Sequence, residues 1–288
     1  MRNGEGGNRF VIPALILLSF VTIYPIIYVF YLSIHRKLLI FDISRFVGFE
    51  NYLFLLKDDR FWNALKNTAY FTGVSVSLEL LFGLYIALLL NMSFRLKGLI
   101  RAIVLIPWAI PTVVSARMWE WIYNTDFGIL NYIVGTKINW LGSPFWAMNA
   151  AVFMDVWKTT PFVAILLMAG LQVIPRELYQ AARVDGAGNW ATFRRITLPL
   201  LKPVILVVLI FRTLDAFRVF DAIYVLTGGG PANTTETLSI YAYKVLFQTL
   251  QFGYGSTLSV IVFLCIGCIS IFYIRILSRG MNRRSRSK

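Results

Sequence analysis

The sequence predicts an all-α polytopic membrane protein with six transmembrane helices. Of its 288 residues, 58% are hydrophobic and only 15% are charged, whereas a soluble domain has about a quarter of its residues charged. The apolar residues are concentrated in blocks, each long enough to cross a bilayer as a helix, which takes about twenty residues. Lys and Arg are concentrated in alternate segments between these blocks, as in proteins with a fixed membrane topology.

Six apolar blocks are the predicted spanning helices. The first follows a basic start, as a signal peptide would, but it is too long for one, contains Pro13 and Pro25, and has no small-x-small cleavage site after it. We therefore expect a Gly-rich cytoplasmic tail at 1–9, a membrane domain at 10–277 and a basic cytoplasmic tail at 278–288. The blocks run, in chain order, over Phe10–Ile34, Lys66–Leu90, Gly98–Tyr123, Trp146–Gln172, Pro203–Leu226 and Gly253–Leu277.

The distribution of Lys and Arg predicts the orientation of the chain. With the N-terminus inside, the inner segments hold sixteen of these residues and the outer loops hold seven. Cytoplasmic loops of membrane proteins carry the excess of positive charge, so both termini are predicted to be cytoplasmic. The formal net charge of +14 fits this bias better than nucleic-acid binding, for which the chain carries no motif.

Few residues are suited to metal binding or covalent catalysis. Cys265 and Cys268 lie three residues apart in the last apolar block and are expected to be packing residues. The single histidine, His35, lies at a membrane edge. No HExxH sequence, no paired CxxC motif and no nucleophile–base constellation occurs, so we expect neither a metal site nor an enzyme.

The outer loop after the first block has apolar residues at helical spacing. This pattern predicts a short amphipathic helix lying on the membrane surface. An aromatic belt at the membrane interface would explain the same residues, and the two interpretations are compatible. The residues are Phe49, Tyr52, Leu53, Leu56, Phe61 and Trp62.

The second and third blocks each contain a feature that needs neighbouring protein. Glu79 is a lone carboxylate between Leu78 and Leu80. An intramembrane acid normally faces protein or water, so a partner is expected in this chain or in another subunit. In the third block, Pro107 and Pro111 leave carbonyls unbonded on one face, which is tolerated where a cavity or a neighbouring helix satisfies them.

The fourth and fifth blocks hold an unusual number of charges. Asp155 and Lys158 are one turn apart in the fourth block, and four charges of alternating sign recur at intervals of three in the fifth. Each such step rotates about 300°, so the four trace a shallow spiral in which neighbours can pair. Because a charge at a helix centre costs about 2.5 to 3.5 kcal/mol, a buried or water-lined position is expected, chiefly for structural pairing between subunits. The four are Arg212, Asp215, Arg218 and Asp221.

A long basic loop, 177–203, separates the fourth and fifth blocks. Its pattern predicts a helix, a left-handed turn at Gly186, and a second helix capped by Asn189. Pro199 and Pro203 are expected to end or kink that second helix. This pattern is compatible with two interpretations. The segment is either an ordinary cytoplasmic loop with the usual excess of positive charge or a protruding element that docks in a cleft on another protein.

Part of this loop resembles the EAA loop of binding-protein-dependent ABC importer permeases. In that family the loop docks on the ATPase subunit and transmits its motion, so the resemblance implies an ATPase-coupling role. One position departs from the family pattern, because Gln180 replaces the leading Glu, for which Glu177 one turn earlier could substitute. The matching residues are Gln180, Ala181, Ala182, Asp185, Gly186, Ala187, Phe193, Ile196, Leu198 and Pro199.

Further stretches resemble the first permease subunit of sugar ABC importers of the maltose and glycerol-phosphate type. They are the runs 155–162 and 211–231 and the turn from Gly128 to Asn131. The amino-acid sequences of the two runs are most similar to those of trehalose and trehalose/maltose systems. The resemblance extends over 10–277, but the chain lacks the large outer insertion of enterobacterial maltose permeases.

This resemblance implies a type I ABC importer permease in a prokaryotic cell membrane. The implied partners are a second, homologous permease, two ATPase subunits that bind ATP and Mg, and an extracytoplasmic sugar-binding protein. No cofactor is expected on this chain. The residues expected to contact the binding protein are Gly228, Gly229, Gly230 and Pro231, and those expected along the sugar path are Trp157, Phe217 and Tyr224.

Two other classes of membrane protein stay open at this point. An ion-coupled secondary sugar transporter would use Asp155 or Asp215 as its ion site and would transport without an ATPase. A membrane enzyme or a channel would need a catalytic constellation or a filter ring, and neither is evident. The glycines at 228–230 form no phosphate-binding P-loop, because no Lys–Ser/Thr pair follows them.

Overall fold

The computed structural model describes residues 5–92 and 95–285, most of which lie in helices. The first helix begins at Glu5, so part of the predicted N-terminal tail is helical. Residues 1–4 and 286–288 of the two predicted tails lie outside the described residues. The elements are α1 (Glu5–Ser33), β1 (His35–Leu38), β2 (Ile43–Phe46), α2 (Glu50–Leu56), α3 (Asp59–Asn91), α4 (Lys97–Ala109), α5 (Thr112–Ile122), α6 (Ile129–Val134), α7 (Pro144–Gln172), α8 (Arg176–Val184), α9 (Asn189–Thr192), α10 (Leu198–Phe217), α11 (Asp221–Leu226), α12 (Leu238–Tyr243) and α13 (Phe252–Ser285), with π-helical turns at Phe193–Thr197 and Lys244–Gln248.

Within the described ranges, five helices are individually long and apolar enough to cross a membrane: α1, α3, α7, the run 189–217 that ends in α10, and α13. The remaining predicted block is divided between α4 and α5, which are bent by 90°. Ile110 at the break is extended, with φ −74° and ψ 133°, a conformation that a following proline such as Pro111 favours. If α4 and α5 form one broken span, these residues contain the six predicted spans.

The fifth spanning helix differs from its predicted block, 203–226, at both ends. The chain is helical without interruption from Asn189 to Phe217, so of the two outcomes predicted for the prolines, that they end or kink this helix, the first was wrong. Pro199 lies in the first turn of α10, directly after a π-helical turn. The wider hydrogen bonding of that turn accommodates a residue without an N–H group.

The predicted continuation of this helix to Leu226 was also wrong. Helix α10 ends at Phe217, and α11 starts again at Asp221 in a new direction set by Phe220, which has φ −135° and ψ −65°. The change of direction allows Phe217 before the break and Ile223 after it to be buried. Tertiary packing therefore outweighs the local helical preference of this apolar stretch.

The loop after α1 contains a β-hairpin that the sequence pattern did not indicate. Strands β1 and β2 pair antiparallel, with Arg36 opposite Arg45. The predicted amphipathic helix is present as the short α2. Two residues of the pattern, Phe61 and Trp62, instead belong to α3, which already begins at Asp59.

The described chain divides into two compact units. The first comprises the residues up to Trp62 together with Tyr241–Cys265, and the second comprises Asn63–Ile240 together with the residues from Ile266 onward. In the second unit, α7 is the central helix, because 72% of its apolar stretch is buried, against 6% for α1 in the first unit. Helices α3, α5 and α11 contribute residues to the same buried cluster as α7.

Candidate functional site

A cavity of about 700 Å³ lies within the second unit, lined by α7, α10, α11 and the α4–α5 break. All six charged residues that the sequence singled out in the fourth and fifth blocks line it. Four aromatic rings line it as well, so polar and apolar side chains surround one space. The charged residues are Asp155, Lys158, Arg212, Asp215, Arg218 and Asp221, and the aromatic residues are Trp108, Phe162, Phe211 and Phe220.

Arg212 is the centre of a buried ionic network. Its guanidinium donates two hydrogen bonds to Glu79, from Nε to Oε2 at 2.5 Å and from Nη2 to Oε1 at 2.9 Å. The Glu79 side chain is 0% exposed and that of Arg212 is 4% exposed. Thr159 Oγ1 lies 2.7 Å from Oε1 of the same carboxylate. The partner expected for Glu79 is therefore supplied by this chain, in the bidentate geometry that makes arginine–carboxylate pairs strong.

The same guanidinium binds two further carboxylates. Its Nη2 lies 3.2 Å from Asp155 Oδ2, and its Nη1 lies 2.6 Å from Asp215 Oδ2. Asp215 Oδ1 also accepts a hydrogen bond from Arg218 at 3.3 Å. We call these residues, with Glu79, the Arg212 network. Its pairs lie within one chain, whereas the sequence interpretation favoured pairing between subunits.

Lys158 and Asp221 take positions that the spacing did not predict. Lys158 is buried in the cavity wall, but among the described residues Asp155 pairs with Arg212 rather than with Lys158. The spiral of paired charges stops at Arg218, because the helix breaks there, and Asp221 is instead in the first turn of α11. A carboxylate in that position is favoured by the partial positive charge of the helix N-terminus.

The three aromatic residues predicted along the sugar path do not line this cavity. Trp157 packs edge-on against Trp119 at 5.6 Å, in the core of the second unit. Phe217 is buried, and Tyr224 stacks behind the cavity-lining Phe220 at 5.2 Å. None of the three is among the cavity-lining residues, and their place along the sugar path stays a prediction.

The aromatic wall of the cavity is formed by residues that sequence reasoning missed. Trp108 and Phe162 stack with ring centroids 5.5 Å apart and an angle of 19° between their planes. Helical periodicity could have found Phe162, since it follows Asp155 by seven positions and Lys158 by four, which places all three on one face of α7. Trp108 carries no such indication, because it lies just before the proline-dependent break.

The 177–203 segment forms the predicted helix, turn and helix. Gly186 has φ +73°, the left-handed conformation expected of it, and its N–H bonds to the Arg183 carbonyl at 3.1 Å. The cap of the second helix is Gly188, so the prediction that Asn189 caps it was wrong by one residue. The Tyr179 hydroxyl lies 3.2 Å from Thr197 Oγ1 and connects α8 to the π-helical turn.

The residues of this segment that match the EAA pattern are mostly on the surface. Ala182 is buried and Phe193 is half-buried, stacked on Trp190 at 5.6 Å. Val184 and Trp190 are 88% and 72% exposed. The remaining residues of the predicted coupling set are all exposed, namely Gln180, Ala181, Asp185, Gly186, Leu198 and Pro199.

The glycine loop predicted to contact the binding protein is a hydrogen-bonded turn rather than a flexible linker. Gly228 and Gly229 have φ values of +60° and +89°, which suit residues without a side chain. Thr235 Oγ1 donates to the Gly230 carbonyl at 2.7 Å and is also 2.7 Å from Thr227 Oγ1. The turn therefore has a defined shape before any partner binds.

Comparison with known proteins identifies the class of this molecule. The family model described as "Binding-protein-dependent transport system inner membrane component" matches residues 79–283, which include the cavity, the 177–203 segment and the glycine loop. The chain belongs to this family. It is thus a membrane permease of a binding-protein-dependent transport system, and nothing in the comparisons supports an ion-coupled transporter.

Curated relatives of this permease align over nearly its whole length. It is 45% identical to the trehalose/maltose transport system permease protein MalF of Thermococcus litoralis, covering 96% of this chain and 94% of that protein. It is 41% identical to the sulfoquinovosyl glycerol permease SmoG of Agrobacterium fabrum, with 92% and 88% covered. It is 42% identical to the trehalose permease SugA of Mycobacterium tuberculosis, with 92% and 86% covered.

Solved structures place the permease in the same fold class. A chain of a bacterial ABC transporter that imports alginate superposes with a TM-score of 0.84, at 23% identity and with 94% of both chains covered. The importer permease fold predicted from the sequence is therefore confirmed.

Proposed function

We propose that this permease is one membrane subunit of an ABC importer that takes up a sugar, a disaccharide such as trehalose or maltose. The observation that carries the proposal is the lining of the 700 Å³ cavity, which contains both aromatic rings and charged groups. Sugars present apolar CH faces and polar edges, so they suit a pocket with apolar walls and a few placed polar groups. The identity to trehalose/maltose and trehalose permeases supports the same substrate class.

The aromatic and the charged residues of the cavity contribute different contacts to sugar binding. The rings of Trp108 and Phe162 supply apolar surface, while Asp215 and Lys158 supply hydrogen-bonding groups for hydroxyls. Arg212 fixes Asp215 by the 2.6 Å hydrogen bond, so this carboxylate is oriented before a sugar arrives. Such preorganisation reduces the entropy that binding must offset.

The proposed assembly contains partners that complete the transport cycle. A second homologous permease closes the cavity, two ATPase subunits bind ATP and Mg and hydrolyse the nucleotide, and an extracytoplasmic protein delivers the sugar. This chain takes part in no chemical step. The turn formed by Gly228, Gly229, Gly230 and Pro231 contacts the delivery protein, and its bonded shape supports a role as a fixed contact surface.

The 177–203 segment, called the coupling segment from here on, docks on an ATPase subunit. Its exposed apolar residues Val184 and Trp190 support this role, because side chains of this kind are suited to a pocket on a partner. Gln180 is exposed one turn after Glu177, so either side chain can reach the same partner surface.

The orientation that this assembly requires has both termini in the cytoplasm. It is tested with single cysteines placed in a variant that lacks Cys265 and Cys268. Val184→Cys, in the coupling segment, should react with an impermeant maleimide only in inverted vesicles. Lys137→Cys, a 75% exposed side chain on the opposite side in the proposed topology, should react only in intact cells. The reverse labelling pattern would contradict the orientation.

The function itself is tested with the purified complex in proteoliposomes. We expect the sugar-binding protein loaded with trehalose or maltose to stimulate ATP hydrolysis and to drive uptake of labelled sugar. Uptake that follows a proton or sodium gradient without ATP would refute the importer. Stimulation by sulfoquinovosyl glycerol but by neither disaccharide would keep the importer and overturn its substrate class.

A further inference from the structure

A second cavity, of about 590 Å³, lies in the first unit between the hairpin, α2 and the start of α13. Helix α1 ends at Ser33 and α13 begins at Phe252, and both are long and apolar enough to span a membrane. Strand β1 follows α1 after one residue and bridges to Gln251, just before α13. The cavity is therefore at a membrane boundary rather than within the apolar layer.

The hairpin concentrates positive charge at this boundary. Arg36 and Lys37 line the cavity, and Arg36 is directly opposite Arg45 in the antiparallel register. Opposed side chains lie on the same face about 5 Å apart, and like charges in such pairs are destabilising. Neither arginine forms an ion pair with the part of the chain that the structure describes, and among the lining residues Glu50 is the acidic one. Within residues 5–92 and 95–285, the pair thus lacks a neutralising anion.

Apolar side chains adjoin these cations. Ile40 and Phe41, next to the hairpin tip, are 62% and 70% exposed, and both line the cavity together with Phe54. Exposed apolar residues beside exposed arginines give the cavity one cationic and one apolar part. A ligand that fits both parts is an amphiphile with an anionic group.

The hairpin is held firmly in this position by its neighbours. The Asn51 side-chain amide donates to the carbonyls of Ser33 at 2.8 Å and His35 at 3.0 Å. The Leu39 N–H donates to the Leu250 carbonyl at 3.2 Å. The cavity therefore exists before a ligand binds and does not require the hairpin to refold.

We propose that this cavity and the adjoining face of the hairpin bind an anionic phospholipid. Its phosphate lies at Arg36, which lines the cavity, and at Arg45, which is opposite Arg36 on the hairpin, and its acyl chains lie beside Ile40 and Phe41. Guanidinium groups bind phosphate oxygens in bidentate fashion, and the phosphate neutralises the opposed pair. Basic residues at a membrane surface select anionic lipids electrostatically. The exposed apolar residues favour a lipid over a soluble phosphate, which would leave Ile40 and Phe41 in water.

The proposal is tested on the assembled, delipidated transporter, titrated with phosphatidylglycerol or phosphatidylcholine and read by native mass spectrometry. We expect phosphatidylglycerol to be retained preferentially. The double variant Arg36→Gln/Arg45→Gln should bind it about thirtyfold more weakly, since each surface cation contributes about fivefold. Phe41→Ser should also weaken retention, although it changes no charge. Phosphatidylcholine binding should be unaffected by the arginine changes.

The matched control is Arg117→Gln/Lys137→Gln, which removes two exposed cations that pair with Glu120 and Asp126. It should retain phosphatidylglycerol like the unaltered transporter. Elution volume and basal ATP hydrolysis verify that each variant is assembled. Equal retention by the hairpin variant, equal retention of both lipids, or displacement of the lipid by inorganic phosphate would each overturn the proposal. Loss of stimulation by the binding protein with unchanged lipid retention would overturn it in favour of a protein-docking surface.

Discussion

The Arg212 network and the coupling segment use arginine in opposite ways. In the network, one buried guanidinium binds three carboxylates of its own chain. In the coupling segment, Arg183, Arg194 and Arg195 are exposed and form no ion pair with the residues that the structure describes. The charges of the first region are paired within this chain, whereas the second region exposes arginines without an ion pair to the described residues, together with apolar side chains. Changes in the network should therefore damage the chain itself, and changes in the coupling segment should damage communication with another subunit.

The largest effect should come from Arg212→Ala. It leaves the fully buried Glu79 carboxylate without its partner, and breaking a buried pair in this way costs about 3 to 5 kcal/mol. We expect little intact complex after purification, measured as the yield of the assembled peak. Arg117→Ala is the control, because its pair with Glu120 is on the surface and contributes about 0 to 1 kcal/mol. A normal yield for Arg212→Ala would show that the chain does not depend on the Arg212 network for its stability.

Gly186→Ala should have the next largest effect and should act on communication. Gly186 has φ +73°, and a side chain in the left-handed region costs about 1 to 2 kcal/mol. Assembly of the permease pair should survive, while ATP hydrolysis becomes poorly coupled to sugar uptake. Gly188→Ala is the matched control, since Gly188 has an ordinary φ of −68° and equally open surroundings. If both variants transport normally, the coupling segment does not need this turn.

Phe162→Ala should reduce sugar transport by a smaller amount. Its ring stacks on Trp108 in the cavity wall, and aromatic contacts of this kind contribute about 0.5 to 1.5 kcal/mol. We expect a severalfold rise in the sugar concentration needed for half-maximal uptake, with complex yield maintained. Tyr224→Ala, which removes a ring behind Phe220, should change uptake less. A larger loss of uptake in Tyr224→Ala than in Phe162→Ala would support Tyr224 as the residue that contacts the sugar.

The smallest effect on assembly should come from Asp215→Ala. From the sequence, Asp215 was expected in a buried or water-lined position, chiefly for structural pairing, where its loss would be costly. Its side chain is 54% exposed, and without it Arg212 still binds Glu79 and Asp155. A yield as low as that of Arg212→Ala would show that the network depends on all three carboxylates.

Much of the architecture follows from properties that are local in sequence. Apolar length predicts the spans, and helical spacing with one glycine predicts the helix, turn and helix of the coupling segment. The charges of the fourth and fifth blocks were found because a charge in an apolar block is costly wherever it lies. Features of this kind require no knowledge of which helices are neighbours.

The sequence is least informative where distant residues decide the outcome. Glu79 and Arg212 are 133 positions apart, so their pairing depends on the packing of α3 against the other helices. Trp157 and Phe217 are near the charges in sequence but face the protein interior instead of the cavity. The break after Phe217 was missed for the same reason, because burial on both sides of it, and no local breaker residue, sets its position.

The uninterrupted helix from Asn189 to Phe217 connects the coupling segment directly to Arg212. Arg212 is about 33 Å along this helix from Trp190, at a rise of 1.5 Å per residue. A tilt of about 5° at the coupling end would displace the guanidinium by about 3 Å, which is the length of a hydrogen bond. Asp215 moves with the guanidinium, because both lie on α10, but Glu79 on α3 and Asp155 on α7 must then follow it or release it. A movement at the coupling end of the helix would therefore reach the cavity wall, because Arg212 lines the cavity.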